Sequence, residues 1–258
     1  MTIQVKYLSE QQIERDALGL LEAYFHDLGQ PIQIPIPADE ILETYLGFTL
    51  GFADLSSRLE MPDADILGAM WVDRREVLID QSLDPDEHPE MEGRFYFTCG
   101  HEAGHWWEHK PYIIDADSQT TLFDENKPKP RVICRSSQAK ERIEWQADYF
   151  SSCLLMPRQH VLDAWFARFG SLKPIVYADI AEQNWTQRPK YRGLRPIQEI
   201  MWKTFEQQFE PHAYAFETVA REFAPKFRVS IQAMRIRLEN LGLLRIDRHV
   251  DQDMFGGY

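Results

Sequence analysis

The sequence predicts an α+β protein, with helices first, a small mainly antiparallel sheet next, and helices again to the end. Three observations carry this. Behind a capping signal at Ser9, apolar residues recur at helical spacing. Three short strand-like runs then crowd into residues 48–83. After residue 90 the apolar spacing returns to that of a helix.

Each element has its own reason. Ser9 and Gln12 have capping-box spacing, Ile13, Leu18, Leu21 and Tyr24 follow at near-helical spacing, and Gly29 suits the stop. "PIQIPIP" reads as extended, because each proline biases its predecessor away from the helix. "ADEILETYLG" reads as a short helix ending near Gly47. The strand runs are "FTLGFADL", "ILGAMWVD" and "EVLIDQSL", and only Arg74 and Arg75 separate the last two, which predicts a hairpin. The next helix starts between Pro89 and Arg94, with Phe95, Cys99, Ala103 and Trp106 facing the core. Residues 110–137 read as an irregular connector, long for a compact domain. A helix from Gln138 to Leu155 follows, stopped by Pro157, with Ile143, Ala147, Phe150 and Leu154 on its core face. Beyond Pro157 the chain reads as helical apart from the loop "NWTQRPKYRGLRP".

Composition narrows the class. The 258 residues allow one large domain or two small ones, and a hydrophobic fraction of 44% is ample for a packed core. A net charge of −13 argues against a surface that binds DNA or anionic membrane as a whole, and fits a basic protein partner or simple solubility. The N-terminus lacks the basic and apolar regions of a signal peptide, and no run approaches the roughly 18 apolar residues of a membrane span. Cys99, Cys134 and Cys153 are few and not closely paired, as expected of free thiols in a reducing compartment, the cytoplasm.

The chemistry concentrates in "FTCGHEAGHWWEHK", residues 97–110. His101 and His105 are four apart, so on a helix both imidazoles reach one tetrahedral metal ion. Glu102 projects from the neighbouring flank, where a carboxylate can take a proton from an attacking water without ligating the metal. A catalytic zinc site needs a third protein ligand. "ERIEWQADYF" offers Glu144, beside the apolar stripe, where a carboxylate is expensive to bury unless it is paired or metal-bound. Asp148, one turn on, suits a hydrogen bond to the far nitrogen of a ligating histidine. Glu141 reads as a solvated helix acid. Imidazole and carboxylate donors serve several divalent ions, so zinc is expected and manganese stays open.

"HEAGHWWEH" followed by "EWQADYFSSCLLMP" resembles the ImmA/IrrE family of zinc-dependent metallopeptidases. The resemblance spans residues 7–160, with Ser151 where that family usually has alanine. It implies a thermolysin-like zincin (gluzincin) core, placed over residues 1–160, and residues 161–258 read separately as a helical region. It also implies metal binding by His101, His105 and Glu144, with Glu102 as general base. The implied activity is a regulatory endopeptidase whose substrate is an intracellular protein, such as a helix-turn-helix repressor encoded near stress genes or mobile elements. His109, Tyr149 and His160 are candidates for stabilising the tetrahedral intermediate, and each also reads as structural or surface. Cys134 in the connector could cap the metal, while Cys99 and Cys153 read as packing residues.

The stretch from Ala213 to Asp247 reads as helix, turn, helix, with Arg235 and Arg237 on the second helix. A DNA-reading unit has this form. An ordinary helical pair with solvated arginines has it too, and is the favoured reading. The alternative to a protease is therefore a regulatory or DNA-binding protein, or one half of a toxin–antitoxin pair, that keeps the peptidase fold.

Overall fold

A computed structural model describes residues 4–62, 65–118, 132–135, 141–180 and 211–246, with the backbone alone for 115–118, 132–135 and 211. The chain divides into two compact units, Met1–His160 with Lys226–Ser230, and Val161–Pro225 with Ile231–Tyr258.

The first unit opens with α1 (Glu10–Asp27), where the Ser9 hydroxyl accepts from the Gln12 N–H as the capping spacing requires. The Gln12 side chain donates to Asp16. Ile13, Ala17, Leu20, Leu21 and Tyr24 form the buried face, whereas Leu18 is 42% exposed, against expectation. Its position falls outside the i, i+4, i+7, i+8 stripe that Ile13 begins. The predicted short helix is an α-helical turn, α2 (Ala38–Glu40), running into a π-helical segment, Ile41–Tyr45.

The sheet has the order β1-β3-β2-β4, with β1 (Thr49–Ala53), β2 (Ile66–Trp71), β3 (Glu76–Asp80) and β4 (Val132–Arg135). β2 and β3 form the expected hairpin, β2 and β4 are also antiparallel, and β1 pairs parallel with β3. The fold is therefore α+β with a small mixed sheet. A parallel pair needs a crossover, and here α3 (Leu55–Arg58) and β2 lie between the two strands. Asp54 caps α3 through the Ser57 N–H, and Asp80 on β3 accepts from the Leu55 N–H. Leu55 then packs with Ile66, Ala69, Trp71 and Leu78 on the sheet.

α4 (Glu92–Ser118) packs against β2, β3, β4 and α5 (Arg142–Leu155), and α1 packs on α5. Two expectations for residues 110–137 are corrected. α4 runs eight residues past Lys110, and β4 lies within the stretch read as irregular. Pro111 lies inside α4, where a proline forfeits its own N–H bond and crowds the carbonyl one turn back. That bond would have gone to the carbonyl of Trp107, on the exposed side of α4. β4 escaped notice because a four-residue strand is recognised by its pairing with β2, which is a non-local contact.

Arg75 ties the hairpin to α4. Its guanidinium lies 4.3 Å from the Phe48 ring centroid and 4.4 Å from that of Trp106, and it donates to the Leu46 carbonyl. The neighbour of Trp106 is His105, so this clamp braces the turn of α4 that carries it.

In the second unit lie most of α6 (Arg158–Phe169), α7 (Pro211–Ala220), and α9 (Ile231–Asn240). The short α8 (Ala224–Phe227) straddles the division. A two-residue parallel pair joins β5 (Ile175–Val176) and β6 (Leu244–Arg245). Trp165, Phe169 and Phe223 stack within this unit, beside the Arg168–Glu222 ion pair. The loop at 184–196 lies outside the described residues. Among the described residues no helix is long and apolar enough to cross a membrane.

Glu108 on α4 meets Asp16 on α1. Burial, then the Asp16 charge and a shared hydrogen bond, push the Glu108 carboxyl from 4.5 up to about 8. The folded chain therefore keeps a proton that the unfolded chain releases between those values. The stability this contributes is full below pH 4.5 and is lost as pH rises through about 8. Glu108→Gln removes the titration. Its melting temperature should rise relative to the wild type as pH goes from 5 to 8, and a pH-independent difference in calorimetry would show that the pair carries no linkage.

Candidate metal centre

The site exists because α4 and α5 approach closely. A Cβ on Gly100 would lie 2.6 Å from the Ser151 hydroxyl oxygen, and one on Gly104 would lie 3.1 Å from Phe150 Cβ. The glycines, four apart on α4, accept the Phe150–Ser151 face of α5. Ser151, which replaces the usual alanine, donates to the Phe97 carbonyl of α4 at 2.8 Å. A small residue suits the crossing, and the hydroxyl adds a bond across it.

This crossing delivers Glu144, in the first turn of α5, to the two histidines of α4. The His101 and His105 Nε2 atoms are 2.8 Å apart. Glu144 Oε2 lies 3.2 Å from the first and Oε1 3.6 Å from the second. All three residues are buried. The edge of a tetrahedron with metal–nitrogen bonds of 2.0–2.1 Å is about 3.3 Å. The separations, taken with the nearer carboxylate oxygen for each histidine, straddle that value. Two imidazoles and a carboxylate so arranged fit a divalent ion with one position left open. Among the described residues this is the one His, Cys, Asp or Glu cluster with that geometry.

Electrostatics follow from burial. Burial by itself would raise the Glu144 carboxyl, but the hydrogen-bonding imidazoles of His101 and His105 overcome it and hold the group well below the usual carboxylate range. Burial lowers His105, with the nearby His101 adding to the effect. It lowers His109 to about 4. Glu102 is fully buried, and both its oxygens lack hydrogen-bond partners. Burial pushes it up to about 8, with His101 pulling it down and Glu144 pushing it further up. Room for Glu102 comes from β2, because a Cβ on Gly68 would stand 2.6 Å from its Oε1.

Asp148 Oδ1 lies 2.8 Å from His101 Nδ1, so the structure brings it to one of the two histidines. Glu141 is the N-cap residue of α5. The three candidates for the tetrahedral intermediate have other engagements. His109 is buried against His105 and Gln146, the Tyr149 hydroxyl faces Glu10 at 3.5 Å, and His160 Nε2 meets the Ile32 carbonyl at 3.3 Å. Cys99 and Cys153 are buried, as packing requires. Cys134 is paired with Gly68 in the β2–β4 register, and its side chain lies outside the described residues. Gln146 and Gly68 were not singled out from the sequence. Gln146 had a signal, since it sits two residues from Glu144 on the inward half of α5, whereas nothing in the sequence places Gly68 under Glu102.

Residues 57–183 match the family model Peptidase_M78, described as the IrrE N-terminal-like domain. This stretch belongs to the ImmA/IrrE peptidase family. The match starts later than the expected span and runs past it, and it contains both histidines, Glu102 and Glu144. No curated protein matches the chain. Of the two arginines singled out on the second C-terminal helix, Arg237 is fully buried, and Arg235 pairs with Glu217 and Glu239.

The crossing makes a paired prediction. Gly104→Val should overpack α4 against Phe150 and cost about 1–3 kcal/mol in urea denaturation. Gly19→Ala, in α1 with nothing within 4 Å of its Cβ, should instead stabilise by about 0.5–1 kcal/mol. Equal effects at the two sites would mean that the helix crossing is not tight.

Proposed function

We propose that this chain is a zinc-dependent endopeptidase with a thermolysin-like core. In this reading His101, His105 and Glu144 hold the metal, Glu102 is the general base, and Asp148 orients His101. The observation that carries it is the buried trio His101, His105 and Glu144, with ring nitrogens 2.8 Å apart and a carboxylate oxygen 3.2 Å from the first and another 3.6 Å from the second, on helices of a peptidase-family domain. A bound divalent ion supplies Lewis acidity, polarising the scissile carbonyl and acidifying the attacking water. Glu102 takes the proton from that water and returns it to the leaving amine. Its buried setting raises its proton affinity, which suits the return step. Tetrahedral spacing and the imidazole–carboxylate donors favour zinc, with manganese as the competing ion.

The substrate we infer is an intracellular protein, with a helix-turn-helix repressor as the leading candidate and the cytoplasm as the place of action. Family resemblance supports this, and so does the charge of −13, which suits a basic partner.

The test is metal content by mass spectrometry on protein purified without added metal. We expect about one zinc per chain in the wild type, none in Glu144→Ala, and full content in Glu102→Gln with hydrolysis lost. Absence of metal from the wild type, even after incubation with zinc, would overturn the proposal.

A further inference from the structure

A row of hydrogen bonds runs outward from His105. Gln146 donates through Nε2 to the Lys6 carbonyl at 3.0 Å, which turns its Oε1 toward His109. That oxygen lies 2.9 Å from His109 Nε2. An amide oxygen only accepts, so His109 Nε2 carries a proton. His109 is 1% exposed, and its Nδ1 faces His105 Nδ1 at 3.3 Å. A contact between two ring nitrogens needs one donor and one acceptor. With its Nε2 given to a metal, the His105 ring would keep its one proton on Nδ1, and His109 Nδ1 is the acceptor placed to meet it. His101 reaches the same state by a separate route, donating through Nδ1 to Asp148. The outer members come from the same two helices as the ligands. His109 is one turn after His105 on α4, and Gln146 is two residues after Glu144 on α5.

We propose that His109 and Gln146 are positioning residues that hold His105 in its metal-accepting tautomer, as Asp148 does for His101. The inference rests on the metal-site reading above. Partners of this kind commonly change metal affinity 10–100-fold when removed.

The test uses the full chain labelled with nitrogen-15. In the wild type, metal-free or zinc-loaded, side-chain NMR should show His109 protonated at Nε2, and in the zinc-loaded chain a nitrogen–nitrogen coupling across the His105–His109 hydrogen bond. His109→Leu, checked for folding by circular dichroism, should weaken zinc binding about 10–100-fold in chelator competition. His109→Asn, whose amide oxygen stands close to the lost Nδ1 acceptor, should recover most of that affinity. A wild-type His109 protonated at Nδ1 would overturn the proposal, as would equal losses in the leucine and asparagine variants or wild-type affinity in the leucine variant. If the wild type bound no zinc, the metal-site reading would fail alone, because the tautomers are still read in the metal-free chain. A leucine variant that failed to fold would leave the wild-type spectrum to decide.

Discussion

The interior of this domain buries two imidazoles and two carboxylates side by side, and that arrangement depends on how closely α4 and α5 cross. Gly100 and Gly104 set the distance, since any side chain there meets Ser151 or Phe150. Buried without its histidine partners, Glu144 would be an unpaired charge costing several kcal/mol. With the helices together, the histidines hold it ionised. The same crossing that builds the site thus makes its buried charge tolerable.

The sheet contributes by restraint and by omission. Arg75 sandwiches itself between Phe48 and Trp106 and so ties the β2–β3 turn to the helix that carries His105. Gly68 in β2 contributes nothing but space, and that space is where the Glu102 carboxyl lies. Neither oxygen of Glu102 has a hydrogen-bond partner. A buried acid left unsatisfied is costly to fold, and here it lies beside the His101–His105–Glu144 cluster, where the proposed function asks for a base.

The order of elements, the capping of α1, the β2–β3 hairpin and the core faces of α4 and α5 were legible in the sequence, because each is a local pattern of period 3.6 or 2. The His101–His105 pair was legible for the same reason, since one helical turn sets their approach. Glu144 could be named from the cost of burying a carboxylate on an apolar face, and Asp148 from its place one turn later. What α5 meets across the crossing was decided only by tertiary structure. That contact turned Gln146 and His109 from anonymous polar residues into a hydrogen-bonded row, and it buried His109, which the sequence had left as either structural or surface. The parallel pairing of β1 with β3, the short strand β4 and the room that Gly68 leaves for Glu102 belong with them. All bring together residues far apart in the chain, and no periodicity within one segment encodes a neighbour that another segment supplies.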